Sequence, residues 1–278
     1  MKRLIADSGS TKTDWVLTRN DRVEGRFQTQ GINPFHQSEE CILNILREEL
    51  VVQLPTTDDE ELSIAFYGSG VRPELKPTME RLLQEVLPTA TTIEAHSDLI
   101  GAARAVCGHD EGIACILGTG ANSCLYDGTK IVYNTPPLGY ILGDEGSGAV
   151  LGIRFLNALY KGFLPTTVVS DFRDTLKLSM AEVIERVYRQ PMANRFLASL
   201  APFIKEHADV PQVHDLLVDN FRSFLSRNVA AYKRPDLPVG FVGSIAFHFA
   251  NELKEANEAE GMTLGPVMQS PLNALVGY

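Results

Sequence analysis

The feature that most constrains the fold is a sequence pattern that occurs twice, first near residue 5 and again near residue 116. Each copy has an apolar strand, a turn of glycine and small residues, a second strand, a hairpin turn and a third strand. The two turns are found in Ile5-Ala6-Asp7-Ser8-Gly9-Ser10 and in Ile116-Leu117-Gly118-Thr119-Gly120-Ala121. The hairpin signals Asn20-Asp21 and Asp127-Gly128 lie at nearly corresponding offsets. The sequence therefore predicts an internal duplication.

Strand and helix patterns alternate along the rest of the chain, which predicts α/β architecture with partly parallel sheets. In the first half, strands are predicted over 62–67 and 92–95, and helices over 38–51, 73–87 and 99–106. After Asp144 the pattern is mostly helical, with predicted helices over 146–161, 167–178, 181–189, 193–208 and 211–231. A strand over 239–242, a helix over 245–257 and a short strand at 267–268 precede a C-terminal helix that begins at Pro271.

The charge balance excludes several classes of partner. The 278 residues include 35 acidic and 25 basic side chains, which gives a formal net charge of −10 at pH 7. Such a surface repels nucleic acid backbones and anionic lipids. The N-terminal residues reach Asp7 too early for a secretory signal, and no apolar run has the roughly 20 residues of a membrane span. We therefore expect a cytoplasmic protein without nucleic acid or membrane partners.

The cysteines do not predict a metal centre. They include no CxxC pair and no Cys/His cluster at zinc spacing; the four are Cys41, Cys107, Cys115 and Cys124. We expect small buried thiols in a reducing cytosol.

The two glycine turns carry the first signal of chemistry. In the segment from Asp7 to Thr13, small residues allow the backbone to approach a phosphate, and N–H and hydroxyl groups can donate to its oxygens. Asp7 ends a strand at this turn, where a carboxylate can orient Mg²⁺ through coordinated water. The segment from Gly118 to Ala121 offers the same chemistry. The alternative is that both are ordinary hairpin turns. Neither is a Walker loop or a dinucleotide-binding GxGxxG.

A third glycine segment lies later in the chain. Residues 240–246 have the pattern of a strand that ends in Gly243-Ser244 and opens a helix. A glycine beside a helix N-terminus allows close approach of a flat or anionic group, and adenosine would fit there. A plain strand–helix junction is the alternative.

Four motifs together resemble a known family. They occur in one order along nearly the whole chain: Asp7-Ser8-Gly9-Ser10-Thr11-Lys12-Thr13-Asp14, Gly118-Thr119-Gly120-Ala121-Asn122-Ser123, Gly143-Asp144-Glu145-Gly146-Ser147 and Gly240-Phe241-Val242-Gly243-Ser244. This set resembles the N-acetylglucosamine kinase branch of the BadF/BadG/BcrA/BcrD ATPase family. The resemblance implies an actin/hexokinase-type fold, in which two ribonuclease-H-like domains hold ATP in the cleft that they form. It places the domains at 1–111 and 112–270, with helix 271–278 packed back on the first.

The resemblance also implies a nucleotide site and a catalytic base. The residues assigned to ATP are Asp7, Gly9, Ser10, Thr11, Thr13, Gly118, Thr119, Gly120, Gly243 and Ser244, and Asp7 is also assigned to Mg²⁺ through water. Asp98 follows a strand and precedes a helix, where it matches the carboxylate that accepts the proton of the sugar hydroxyl. Its alternative role is a helix N-cap, which is compatible with the first because a carboxylate stays ionised there.

The sugar contacts are implied in the same way. They are Asn33, Asp98, Ala121, Asn122, Gly139 and Asp144, and amides and carboxylates suit sugars because each can bond two neighbouring hydroxyls. Asn33 and Asp144 have turn and cap roles as alternatives. In one respect the chain departs from the family: Pro136-Pro137-Leu138-Gly139-Tyr140 stands where the animal enzymes have Gly-Trp-Gly. Glucosamine and N-acetylmuramic acid therefore remain alternatives to N-acetylglucosamine.

Two other functions compete with an amino-sugar kinase. One is an ATPase that activates a dehydratase or reductase through an iron–sulfur cluster, which would need paired cysteines. The other is a non-catalytic sugar or nucleotide sensor, which has no need of a base at Asp98. For the kinase, the resemblance implies transfer to the 6-hydroxyl and a homodimer.

Overall fold

The structure, a computed structural model, describes residues 2–9, 11–55 and 61–278. The chain divides into two compact units. Unit 1 comprises residues 1–109 and the C-terminal residues 270–278, and unit 2 comprises residues 110–269. Each unit has a five-stranded sheet of its own.

Unit 1 is built on a sheet with the strand order β3-β2-β1-β4-β5. Its strands are β1 (Lys2–Ser8), β2 (Lys12–Arg19), β3 (Arg22–Gln30), β4 (Leu62–Gly68) and β5 (Ala90–Ser97). The first three strands form an antiparallel meander, and β4 and β5 run parallel to β1. Asn20 and Asp21 join β2 to β3 with φ of 49° and 61°. This left-handed pair confirms the predicted hairpin turn.

Helices cover both faces of this sheet. They are α1 (Glu39–Ile45), α2 (Lys76–Val86), α3 (Asp98–Cys107) and a C-terminal helix (Leu272–Val276). Helix α1 continues through a π-helical turn (Leu46–Leu50) and a 3₁₀ turn (Val51–Gln53), so the single regular helix predicted over 38–51 is irregular at its end. Because side chains alternate along a strand, Leu4 packs in one core and Ile5 in another, beneath the C-terminal helix.

Unit 2 repeats the same sheet topology. Its strands are β6 (Glu111–Leu117), β7 (Ala121–Asp127), β8 (Ile131–Tyr133), β9 (Val239–Val242) and β10 (Leu264–Met268). In the order β8-β7-β6-β9-β10, the first three strands by sequence are an antiparallel meander, and β9 and β10 run parallel to β6. The predicted duplication is therefore confirmed at the level of strand order and direction.

Helices between β8 and β9, and after β9, complete unit 2. They are α4 (Gly139–Leu142), α5 (Gly148–Tyr160), α6 (Thr166–Leu176), α7 (Met180–Tyr188), α8 (Ala193–Ala198), α9 (Ala201–Glu206), α10 (Pro211–Phe224), α11 (Ser244–His248) and α12 (Ala250–Ala259). The prediction of one helix over 193–208 is wrong. Pro202 lies in the first turn of α9, where its missing N–H cannot continue a helix from α8. The helix predicted over 245–257 is likewise divided, at Phe249.

The surface and the cysteines add two findings. Within residues 2–9, 11–55 and 61–278, none of the helices combines the length and the apolar character that a bilayer span demands. Cys115 and Cys124 are buried on β6 and β7, as predicted. The prediction of a buried thiol is wrong for Cys41, which is exposed because it lies on the outward side of α1.

Candidate active site

Hydroxyl groups brace the first glycine turn, which joins β1 to β2. Ser8 Oγ lies 2.7 Å from Thr13 Oγ1, and Ser8 donates to the carbonyl of Ile32 at 2.9 Å. Ser8 and Thr13 are both fully buried, and Thr13 also donates to the carbonyl of Gln30 at 3.1 Å. Thr13 was predicted to contact the nucleotide. Because its hydroxyl is buried and already bonded within the protein, we assign it to support of the turn instead.

Gly9 and Thr11 form the part of the same turn that is exposed to solvent. The Gly9 N–H donates to the carbonyl of Lys12 at 3.0 Å, which closes the turn, and the Gly31 N–H donates to the carbonyl of Thr11 at 3.1 Å. Gly9 and Thr11 both lie near the carboxyl end of β1, and their contact with phosphate stays a prediction. Ser10, which was assigned to the same contact, lies outside the described residues.

Two carboxylates of unit 1 with raised pKa values lie at this end of the sheet. Asp7 is the penultimate residue of β1, and Asp98 follows β5 directly. Burial and, second to it, the charge of Asp98 raise the pKa of Asp7 to about 7, against a hydrogen bond from Ser270 Oγ at 3.3 Å. Burial likewise raises the pKa of Asp98 to about 6. Both groups therefore change charge near neutral pH.

The N-cap of α3 is not Asp98. The helix begins at Asp98, and the cap is Ser97, whose Oγ accepts the N–H of Ile100 at 3.4 Å. The Asp98 carboxylate accepts the N–H of its neighbour Leu99, at 2.9 Å, through Oδ1, and it also bonds its own backbone N–H. The cap role, the alternative for this residue, thus belongs to Ser97.

Asn33 is fixed at the start of the loop that follows β3. Its Oδ1 accepts the N–H of Phe35 at 3.0 Å, and its Nδ2 donates to Ser69 Oγ at 3.2 Å. Gly70, with φ +80°, packs so closely that a Cβ there would overlap the Asn33 carboxamide. The loop after β4 therefore holds the side chain of Asn33 in place. Part of its hydrogen-bonding capacity stays open, since a carboxamide offers two donors and two acceptor lone pairs.

The second glycine turn, from Gly118 to Ala121, is joined to the start of helix α5. The N–H of Gly148 donates to the carbonyl of Gly118 at 2.8 Å, and the N–H of Ala149 donates to the carbonyl of Thr119 at 3.2 Å. The fully buried Ser147 caps the helix by accepting the N–H of Val150. These bonds satisfy the first donors of α5, and they hold the turn against a helix of 13 residues.

Gly243 lies against the same turn from β9. Its φ is +124°, and a Cβ at this position would overlap the carbonyl of Leu117, the last residue of β6. The Gly243 N–H donates to the carbonyl of Met268 at 2.9 Å. Only glycine allows this approach, so the segment brings the exposed Ser244 to the carboxyl ends of β6 and β9. The predicted adenosine residues are thus neighbours of the second glycine turn.

Asp144 also packs on this turn, in an unusual backbone conformation. Its φ is +52°, which is uncommon for a residue other than glycine, and its N–H donates to the carbonyl of Pro137 at 2.9 Å. A Cβ added to Gly120 would lie 3.0 Å from Asp144 Oδ2, and the Ala121 N–H bonds the carboxylate. Burial and, to a smaller extent, the charge of Glu145 raise the pKa of Asp144 to about 6, against the hydrogen bond from Ala121. Strain of this kind is common at functional sites.

The remaining predicted sugar residues lie nearby. Gly139, with φ +74°, is the first residue of α4. Its carbonyl accepts the N–H of Gly143 at 2.8 Å, which joins the two ends of the segment just before Asp144. Asn122 is the second residue of β7, directly after Ala121. Unit 2 thus brings Gly118, Thr119, Gly120, Ala121, Asn122, Asp144, Gly243 and Ser244 to one end of its sheet.

The carboxylate of Asp7 suits a magnesium ion. In the described part of the chain, no group of three or more His, Cys, Asp or Glu side chains is placed to hold a metal. Magnesium is usually bound by one or two carboxylates, with water and phosphate oxygens as the other ligands. Asp7, the residue predicted to hold the ion through water, fits that pattern, because a cation would favour the charged form that burial and the charge of Asp98 disfavour.

Three supporting residues were not found from the sequence. Gly70 and Asn134 contact predicted sugar residues, and Ser270 bonds Asp7 from a position 263 residues away. The glycines of Gly68-Ser69-Gly70, directly after a strand, were a signal of a tight turn but not of a contact to Asn33. Asn134 and Ser270 belong to no motif.

Comparison with solved structures shows which proteins share this architecture. The Putative N-acetylglucosamine Kinase of Porphyromonas gingivalis is 49% identical, with a TM-score of 0.95 over 99% of this chain and 97% of its own. A Putative N-acetylglucosamine Kinase of Chromobacterium violaceum is 20% identical, with a TM-score of 0.65 over 99% and 98%. The ROK hexokinase of Thermus thermophilus is 16% identical, with a TM-score of 0.53 over 100% and 96%. The last two share the fold.

Comparisons with protein-family models and with curated proteins give no match. The identity of 49% over nearly the full length of both chains is decisive, and the duplicated sheets and the order of the four motifs agree with it. This chain belongs to the N-acetylglucosamine kinase branch of the BadF/BadG/BcrA/BcrD ATPase family and has the actin/hexokinase-type fold.

Proposed function

We propose that this protein is a cytoplasmic ATP-dependent kinase that phosphorylates N-acetylglucosamine or a closely related amino sugar, with the 6-hydroxyl as the acceptor. The observation that carries the proposal is Asp98, a half-buried carboxylate whose charge raises the pKa of Asp7 and whose own pKa, about 6, lies within reach of neutral pH. A phosphoryl acceptor needs such a base, and a simple binding protein does not. The identity with a protein named for the same activity supports the choice of sugar.

The nucleotide is assigned to the glycine turns of both units. Thr11 offers hydroxyl and backbone donors in unit 1, and Thr119 offers them in unit 2. Gly9 and Gly118, whose N–H groups close their own turns, leave room for the phosphate to approach the backbone. Gly243 and Ser244 are assigned to the adenosine. The bonds from α5 to the second turn support this assignment, because donors that are fixed in advance need no reorganisation when charge moves on the phosphates.

The sugar is assigned to Asn33, Asn122 and Asp144, with Gly139 and Ala121 at its edge. As the base, Asp98 takes the proton from the acceptor oxygen while that oxygen forms a bond to the γ-phosphorus. The bond from phosphorus to the bridging oxygen of ADP breaks, and ADP leaves. Asp7 would hold Mg²⁺ through coordinated water, and the ion supplies positive charge to the phosphate oxygens when it is bound.

A coupled ADP-release assay tests the proposal directly. N-acetylglucosamine, glucosamine, N-acetylmannosamine, N-acetylmuramic acid and glucose are each added to enzyme, MgATP and the coupling enzymes. We expect ADP release to depend on the added sugar and to be greatest for one of the amino sugars, and phosphorus NMR of the product should show a 6-phosphate. If ADP is released at the same rate with each sugar as with none, the protein is not a sugar kinase, and an ATPase is favoured.

The contact of Gly70 with Asn33 gives a second prediction. Gly70→Ala places a Cβ against the Asn33 carboxamide, and φ +80° is itself unfavourable for alanine. We expect the sugar KM to rise about tenfold, since losing one good hydrogen bond costs about 1.4 kcal/mol, while the ATP KM stays unchanged.

The matched control for this prediction is Gly108→Ala. Gly108 also has a positive φ, +61°, and is in the same unit, but no atom lies within 4 Å of an added Cβ. It therefore reproduces the backbone strain without the contact to Asn33. Equal changes in sugar KM for the two variants would show that strain alone is responsible.

A further inference from the structure

The carboxamide of Asn122 is held in one orientation by hydrogen bonds. Its Oδ1 accepts the backbone N–H of Ser123 at 2.9 Å and the Nδ2 of Asn134 at 2.8 Å. A backbone N–H can only donate, so the atom of Asn122 that faces it must be the oxygen. With both lone pairs of that oxygen used, the Nδ2 of Asn122, with its two hydrogens, is the part left for a ligand.

The orientation of Asn134 is fixed in the same way. Its Nδ2 lies 2.8 Å from Asn122 Oδ1, 2.6 Å from the carbonyl of Ser123 and 3.1 Å from the carbonyl of Thr135. All three neighbours are acceptors, so the amide nitrogen must face them. The NH₂ group has only two hydrogens, so these three oxygens leave it no hydrogen for a further partner, although Asn134 is exposed.

The segment that carries Asn134 is anchored to the interior of unit 2. The Thr135 N–H donates to Tyr232 Oη at 3.2 Å, and Thr135 Oγ1 donates to the carbonyl of Asn228 at 2.9 Å. Tyr232 is buried, and its hydroxyl lies 2.6 Å from the buried Ser123 Oγ. Asn134 is therefore presented to Asn122 by a network that also fixes Ser123.

We propose that Asn134 is a positioning residue that makes Asn122 a hydrogen-bond donor toward the sugar. The inference rests on the proposed function. Asn122 then presents Nδ2 to a hydroxyl oxygen of the sugar. Asp144, when ionised, can only accept. The two residues together select a sugar that offers an acceptor to Asn122 and a hydroxyl donor to Asp144.

The diagnostic variant is Asn134→Asp, which keeps the shape but replaces the donating NH₂ by an acceptor. The introduced carboxylate repels Asn122 Oδ1 and opposes the Ser123 N–H, the one donor that still holds this oxygen, so the carboxamide no longer presents Nδ2 alone to the ligand. Asn134→Ala removes the restraint without adding this repulsion. The matched control is Asn251→Asp, the same chemical change at an exposed position on α12 of the same unit.

Two readouts test the inference. The first uses N-acetylglucosamine analogues in which one hydroxyl at a time is replaced by fluorine, which can accept but not donate, or by hydrogen. In the unaltered protein we expect one position where the fluoro analogue keeps its affinity and the deoxy analogue loses about tenfold. Asn134→Asp should abolish that preference and raise the sugar KM about tenfold, with the ATP KM unchanged and the control variant normal.

The second readout needs no turnover. In nitrogen-15 NMR spectra, N-acetylglucosamine should shift the side-chain NH₂ signals of Asn122 in the unaltered protein and leave them unshifted in Asn134→Asp. Failure of the kinase assay alone would count against the proposed function and leave this readout standing. Asn122 NH₂ signals that respond to the sugar equally in both proteins would overturn the inference, as would an unchanged analogue preference.

Discussion

Asp98→Asn is expected to lower kcat by at least ~10²-fold, the usual scale for losing a general base, while ATP and sugar still bind. The substitution is well suited to isolate this role. Asparagine can still accept the N–H of Leu99 through its side-chain oxygen, and Ser97 remains the cap of α3. The helix should therefore keep its place, and only the ability to take a proton is lost. The measurement is kcat at saturating sugar and MgATP, with sugar binding followed by calorimetry.

The pH dependence provides an independent check on Asp98. Its pKa is raised to about 6, so the carboxylate is ionised and competent as a base at pH 8 and increasingly protonated below pH 6. At saturating sugar, kcat should fall as the pH decreases through this value, and the fall should be missing from the residual activity of Asp98→Asn. Ser97→Ala serves as the control, since it weakens the helix by about 1 kcal/mol and leaves the base intact. Near-normal turnover by Asp98→Asn would exclude this residue as the base.

The repeated features of the sequence were the ones that could be interpreted. The two strand–glycine–strand units predicted the duplicated sheets, because each glycine turn is local and its chemistry is determined by adjacent residues. The same is true of the Asn20-Asp21 hairpin, whose left-handed pair is a local property. Gly243 was noticed as part of a strand–helix junction for the same reason.

Contacts over long sequence distances could not be found in this way. Ser270 reaches Asp7 from the other end of the chain, and the bond of Asn134 to Asn122 depends on how β7, β8 and the segment near Tyr232 pack together. The division of the helix predicted over 193–208 is a different failure. Pro202 was visible in the sequence, but the apolar pattern continues across it and suggested one helix.

The second large effect is expected from replacing Asp7, which should raise the stability of the protein and lower its activity. The raised pKa of Asp7, about 7, means that its charged form is disfavoured in the folded protein relative to the unfolded chain. Between about pH 4 and pH 7 the folded state therefore binds more protons than the unfolded state, and the free energy of unfolding decreases as the pH rises. The repulsion from Asp98 is part of this cost, and a bound cation would relieve it.

Asp7→Asn should thus increase the free energy of unfolding of the metal-free protein at pH 8 by about 1–2 kcal/mol, a partial share of the full shift because the side chain is not entirely buried. Asparagine can still accept from Ser270 Oγ, so the local contact remains. The gain should be small near pH 4, where the carboxyl group is protonated in the folded state and close to half protonated in the unfolded chain. The same variant should lose at least ~10²-fold in kcat, and Mg²⁺ should raise the melting temperature of the unaltered protein but not of Asp7→Asn. Melting curves at pH 4 and pH 8, with and without Mg²⁺, measure the changes in stability. The ADP-release assay measures kcat. A variant less stable than the unaltered protein at pH 8 would show that the Asp7 carboxylate supports the fold instead of being held there for the reaction.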